Sequence, residues 1–106
     1  MDKISCVFDF STVKKYSDIH DVLADGLKYS EPYRGDLDSL YDCLTDMLAY
    51  ISKIEIIAPD VLRKYDGYDE KILSAFRDAK HAWGRKSQER FFVTVVYTDG
   101  SREEID

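Results

Sequence analysis

Aspartates are the residues of this sequence with the clearest chemical potential. Asp36, Asp38, Asp42 and Asp46 fall within residues 36–48, a stretch that contains no Lys or Arg. On a helix, Asp38 and Asp42, and again Asp42 and Asp46, stand one turn apart. Each such like-charge pair costs about 0.2 to 0.5 kcal/mol, and no basic residue within the stretch stands three or four positions away to relieve it. Asp36 and Asp38 can gain from the positive end of the helix dipole, but Asp42 and Asp46 lie too far along to share that gain. The row is therefore mildly unfavourable for folding. A solvated helix face is the plain alternative, but attraction of a positively charged partner explains the arrangement better.

Other chemistries fit poorly. Asp36 and Asp38 have the spacing that opens a calcium-binding loop, yet such a loop needs an oxygen ligand, a glycine and a glutamate where this chain has Leu40, Tyr41 and Met47. No cofactor and no metal site is expected. His20 and His81 read as ordinary surface histidines, with no nucleophile motif or glycine-rich phosphate loop to accompany them. Paired carboxylates can serve as acid and base, but nothing suggests that these are desolvated, so an enzyme is not expected.

Composition points the same way. With 21 acids against 15 bases and a net charge of −6 over 106 residues, the chain lacks the clustered cations that phosphate contacts need, and a nucleic-acid partner is not expected. A hydrophobic share of 44% beside 34% charged residues suits one soluble domain spanning residues 1–106. Eight tyrosines offer rings to bury and hydroxyls to present, which suits a contact face as well as a core. No apolar run approaches the roughly 20 residues that span a bilayer, and the first residues lack the form of a signal peptide. No membrane partner and a cytoplasmic home are the expectation. Cys6 and Cys43 have no CxxC partner and no nearby His, so they read as buried thiols rather than as zinc ligands or a disulfide.

The elements that must position the acids follow from periodicity. Ile4, Cys6, Phe8 and Phe10 alternate as in a strand. Ser17 is placed as the N-cap of a helix carrying Ile19, Val22, Leu23 and Leu27 on one stripe and ending near Lys28. Residues 29–35, with Pro32 and Gly35, predict a loop. A second helix is predicted from about Leu37 to Ile51, with Leu37, Leu40, Leu44, Met47, Leu48 and Ile51 on one side and Asp38, Asp42 and Asp46 on the other. Residues 53–58 read as a strand stopped by Pro59, and Val61 to Tyr65 as one helical turn. After the turn signal Asp66-Gly67, Ile72, Leu73, Phe76, Ala79 and Trp83 predict a helix capped by Gly84. Residues 91–97 are apolar and β-branched, the pattern of a strand buried on both faces. Asp99-Gly100 is expected to turn the chain into a short charged edge strand. Strands separated by helices imply an α/β domain with a three-stranded parallel sheet and this extra C-terminal edge strand.

The stretch from Tyr33 to Thr45, YRGDLDSLYDCLT, resembles the signature of the barstar family, whose members carry YYG, a short spacer and then NLDALWDCLT. The stretch from Glu70 to Lys80, EKILSAFRDAK, is similar to that family's last helix, and Ser17 to Leu23, SDIHDVL, to its first. In that order, these segments cover most of the chain from Ile4 to about Thr98. The resemblance implies an intracellular inhibitor whose loop and second helix fill the active site of a basic extracellular-type ribonuclease. It implies that Asp38 and Asp42 meet the enzyme's basic groups, with Asp42 where the substrate phosphate would sit, and that Glu70 is an outlying ion-pairing acid. Tyr33 matches a loop aromatic of the family, and Tyr41 matches the tryptophan beside the second aspartate. The spacer after Gly35 is one residue shorter than the family's, Pro32 replaces a loop tyrosine, and Arg34 adds a positive charge. Asp46 and Met47 stand in place of a glycine and a tryptophan. These departures imply a target with a differently shaped groove.

Taken together, these features predict a barstar-like ribonuclease inhibitor, monomeric when unbound, which could serve as an immunity protein against a toxin ribonuclease. Its partner surface would hold Tyr33, Gly35, Asp36, Asp38, Tyr41, Asp42, Asp46 and Glu70. The alternative is an acidic adaptor or regulator, of the same fold, for another basic protein.

Overall fold

Alternating apolar residues in the first segment fix the face on which everything else packs. A computed structural model describes residues 4–27, 35–47, 51–86 and 92–105. Strand β1 (Ile4–Asp9) sends Cys6 and Phe8 inward and leaves Ser5, Val7 and Asp9 exposed. It is followed by helices α1 (Tyr16–Gly26) and α2 (Leu37–Met47), then by strand β2 (Ile51–Ile57), which pairs parallel with β1. A 3-10 turn (Pro59–Lys64) and helix α3 (Tyr68–Lys86) lead to strand β3 (Phe92–Val96), parallel to β2. Strand β4 (Arg102–Ile105) then returns antiparallel beside β3, so the sheet runs in the order β1-β2-β3-β4. The expected α/β architecture, three parallel strands with an added C-terminal edge strand, is the one observed.

Register explains the core. Cys6, Ile54, Val93 and Ile105 are neighbours across the sheet, as are Phe8, Ile56 and Val95, and every one of them is buried. Ile19 and Leu23 of α1, Leu40, Cys43 and Leu44 of α2, and Ile72, Phe76 and Ala79 of α3 join the same cluster. The rings of Phe8 and Phe76 meet edge to face with centroids 5.2 Å apart, a favoured aromatic geometry. Cys6 and Cys43 are buried thiols, as expected, and the Cys6 Sγ donates to the Gly26 carbonyl at 3.0 Å. Among the described residues, no helix is long and apolar enough to cross a membrane.

Several boundaries differ from expectation, each for a local reason. Helix α1 begins at Tyr16 with Lys15 as its N-cap, because the Asp18 carboxylate reaches back to accept the Lys14 and Lys15 amides at 3.0 and 3.3 Å. Ser17 therefore lies inside the first turn. Helix α2 ends at Met47, and Ile51, though in helical phase with it, belongs to β2 opposite Ile4. Helix α3 continues through Gly84 to Lys86, since the residues that follow Gly84, Arg85 and Lys86, are good helix formers. Strand β3 is buried on one face only. Val93 and Val95 point into the core while Phe92 is 46% exposed and Thr94 and Val96 are half-buried. The described helices all bury their apolar sides in the one cluster, and β-branched residues suit such a half-covered pleat as well as a fully covered one.

Two turns are built as the sequence suggests. Asp66 and Gly67 both have positive φ, at 57° and 67°, immediately before α3. Between β3 and β4, the Asp99 Oδ1 accepts both the backbone amide and the hydroxyl of Ser101, at 2.9 and 2.6 Å, while Gly100 takes φ 89°. These hydrogen bonds hold the Asp99 carboxyl below its usual value. The C-terminal strand is tied down by Lys80, whose Nζ donates to the Ile105 carbonyl.

Candidate functional site

Helix α2 is positioned by the residue that precedes and caps it and by its apolar side. Gly35 enters with φ 90°, and the Asp36 Oδ1 accepts the Ser39 amide at 2.6 Å while its carbonyl accepts the Leu40 amide at 3.0 Å. Asp36 is thus the N-cap of α2, so part of its charge is committed to orphan helix amides. Leu40, Cys43 and Leu44 anchor the helix in the core, leaving Asp38 and Asp42 exposed on its outer side with Tyr41 half-buried beside them. Asp46 lies on the last turn of α2. Tyr33 lies outside the described residues, as do Pro32 and Arg34.

Glu70 comes from the first turn of α3, exposed, its amide donating to the Gly67 carbonyl at 3.2 Å. Packing of α3 against α2 brings it to the other acids. An open groove of about 460 Å³ runs between the two helices, with Leu37, Asp38 and Tyr41 on one wall and Glu70, Ser74 and Asp78 on the other. Lys71 also lines it. The structure therefore unites Asp38, Tyr41 and Glu70 around one groove, while Asp42 presents its carboxylate one turn further along α2. Among the described residues, no ion pair ties up Asp38, Asp42 or Glu70.

Sequence reading missed Asp78 and Ser74. Their signal was present: Glu70, Ser74 and Asp78 recur at four-residue intervals on α3, the spacing that singled out Asp38, Asp42 and Asp46. It also missed an aromatic cluster. Tyr16 meets His20 and Tyr68 with ring centroids 5.2 and 5.6 Å apart, and His20 meets Tyr68 at 6.2 Å. His20 is accordingly half-buried against two rings rather than a plain surface residue. Burial, the hydrogen bond with Tyr16 and the nearby Asp36 charge push the Tyr68 hydroxyl up to about 12.

A second groove of about 440 Å³ lies on the far side of α3, against the β3–β4 hairpin. Glu70 and Ser74 line both grooves, and Arg77, Tyr97 and Glu103 complete the polar rim of the second. The Tyr97 hydroxyl donates to the Glu103 Oε2 at 2.6 Å. That bond, then burial and the carboxylates around it, push its pKa up to about 12.

An acidic helix and groove, exposed on a small α/β domain, define a protein that can offer carboxylates to a cationic surface. Comparison with family models identifies the family. Residues 4–96 match the model of Barstar (barnase inhibitor), and the chain belongs to that family. It is a family of inhibitors rather than of enzymes, and membership implies a ribonuclease as protein partner. Comparison with curated proteins and with solved structures returned no match.

Proposed function

We propose that this protein inhibits a basic ribonuclease of the barnase type by laying α2 and the groove beside it across the enzyme's active site. The observation that carries this reading is that Asp38 and Asp42 are exposed on α2 without an ion pair among the described residues, although their mutual repulsion works against the helix. Carboxylates held in that state have attraction to give to a partner's Lys and Arg. Asp42 takes the central place, where a substrate phosphate would bind, Asp38 stands one turn before it on α2, Glu70 lies across the groove from Asp38, and Tyr41 supplies an aromatic wall. Asp46, Gly35 and Tyr33 extend the surface, and Asp36 shapes it by capping α2. The same protein acts as a monomer in the cytoplasm and protects its cell as an immunity protein.

The test is co-expression with the product of the adjacent gene, followed by copurification and a ribonuclease assay. One equivalent of the inhibitor should abolish activity. A complex that copurifies with the ribonuclease fully active would assign the chain to an adaptor role, and absence of any complex would remove the inhibitory reading for that enzyme.

A further inference from the structure

Lys71 is the exception in the α2–α3 groove. It lines the groove together with Asp38, Glu70 and Asp78, adding a cation where a surface meant only to attract cations would have none. Its contacts give the fold little reason to keep it. Nζ lies 3.7 Å from Asp66, whose side chain is 98% exposed, and 6.0 Å from the centre of the Tyr68 ring. Exposed pairs of that kind contribute little to stability. The Lys71 side chain is itself 48% exposed and accessible to a partner.

A ribonuclease that set only cations across this groove would meet attraction from three carboxylates and repulsion from one ammonium. One that set a carboxylate opposite Lys71, among its basic groups, would meet attraction throughout. Like charges forced together as water leaves an interface are a means of rejecting wrong partners, and specificity is often built from such repulsion. Helix α2 shows no such alternation within residues 36–47, where every charged residue is an aspartate. The two walls of the groove therefore differ in kind: the charged residue on the α2 wall is an aspartate, whereas the α3 wall carries Glu70, Lys71 and Asp78.

Resting on the inhibitory reading above, we propose that Lys71 is a specificity-determining residue, selecting ribonucleases that carry a carboxylate on the rim of an otherwise basic active site. The experiment measures inhibition constants of the parent, Lys71→Glu and Lys71→Met against barnase and a panel of barnase-type ribonucleases with and without such a rim carboxylate. Melting temperatures establish that each variant is folded. Lys71→Glu should weaken inhibition of the rim-acid enzymes by about tenfold or more and strengthen inhibition of the wholly basic ones, reversing their order. Lys71→Met should move the same ratio in the same direction by less. If both substitutions change every inhibition constant by one common factor, or none at all, the inference is overturned while the inhibitory function stands. If the parent inhibits no ribonuclease of the panel, the inhibitory function fails and this inference fails with it.

Discussion

Gly26 lies directly against the ring of Phe8, so that a Cβ built on it would overlap three atoms of that ring. The last residue of α1 is thereby pressed onto β1, and Phe8 is completely buried beneath it.

That contact predicts the effect of Gly26→Ala. Alanine is the better helix former by about 1 kcal/mol, so on helix propensity alone the variant would be more stable. Overpacking a closed core instead costs about 1 to 3 kcal/mol, because Phe8 also abuts Phe76 and has nowhere to move. Chemical denaturation should show a net loss of stability. A gain would mean that α1 shifts freely on β1.

Asp42→Ala should weaken inhibition more than any other single truncation, and Asp42→Asn should recover little of the loss. Truncating one partner of a desolvated charge pair costs about 2 to 5 kcal/mol, a general range for which barnase–barstar is itself a reference case. Glu70→Ala, at the rim, should cost no more than about 1 kcal/mol if its pair remains solvated. Removing Asp42 also relieves its repulsion with Asp38, so the melting temperature should hold or rise slightly. Full inhibition by Asp42→Ala, or a failure traceable to unfolding, would remove Asp42 from the centre of the interface.

Association should slow as salt rises. On the proposed function the acids of α2 and α3 would act on the approaching enzyme through solvent, and at physiological ionic strength the field reaches only about 8 Å. Stopped-flow rates across a salt series supply the measurement, and a flat profile would show that charge does not steer the encounter.

Alkaline pH should destabilise the fold through Tyr97 and Tyr68. Both hydroxyls are pushed up to about 12 in the folded chain, Tyr97 chiefly by its bond to Glu103 and Tyr68 chiefly by burial. An unfolded tyrosine loses its proton near pH 10, so the folded state then binds more protons than the unfolded one. The stabilisation is full below about pH 10 and is lost as pH rises through about 12. Tyr97→Phe should flatten part of that decline in denaturation midpoints. A decline unchanged in Tyr97→Phe would show that the Glu103 bond does not set it.

Denatured protein should titrate two thiols with no reductant present, since Cys6 and Cys43 are buried thiols. A count of zero would mean that the two pair in solution.

Much of this was legible in the chain because burial and periodicity agree. Leu40 and Leu44 mark one side of α2 and Asp38 and Asp42 the other, and one packed layer suffices to realise that pattern. What escaped depends on where atoms are spent or which elements meet. Asp36 has the same charge as Asp38, and only the bond to the Ser39 amide reveals it as a cap. Ile51 continues the apolar phase of α2, yet its pairing with Ile4 assigns it to the sheet. Asp78 recurs in step with Glu70 and Ser74 along α3, but that spacing does not say which element the row will face; it joins the site because α3 packs beside α2.

The β4 strand has a consequence for life at high concentration. Three of its four residues, Arg102, Glu103 and Glu104, are exposed and charged, while Ile105 alone is buried. An inhibitor must often be held in excess of its target, and a bare hydrophobic border would then invite one copy to extend the sheet of the next. Here that border of β3 is already occupied, and the strand that replaces it meets any approaching copy with exposed charged side chains. Such a margin resists fibrillar growth along the β4 edge of the sheet.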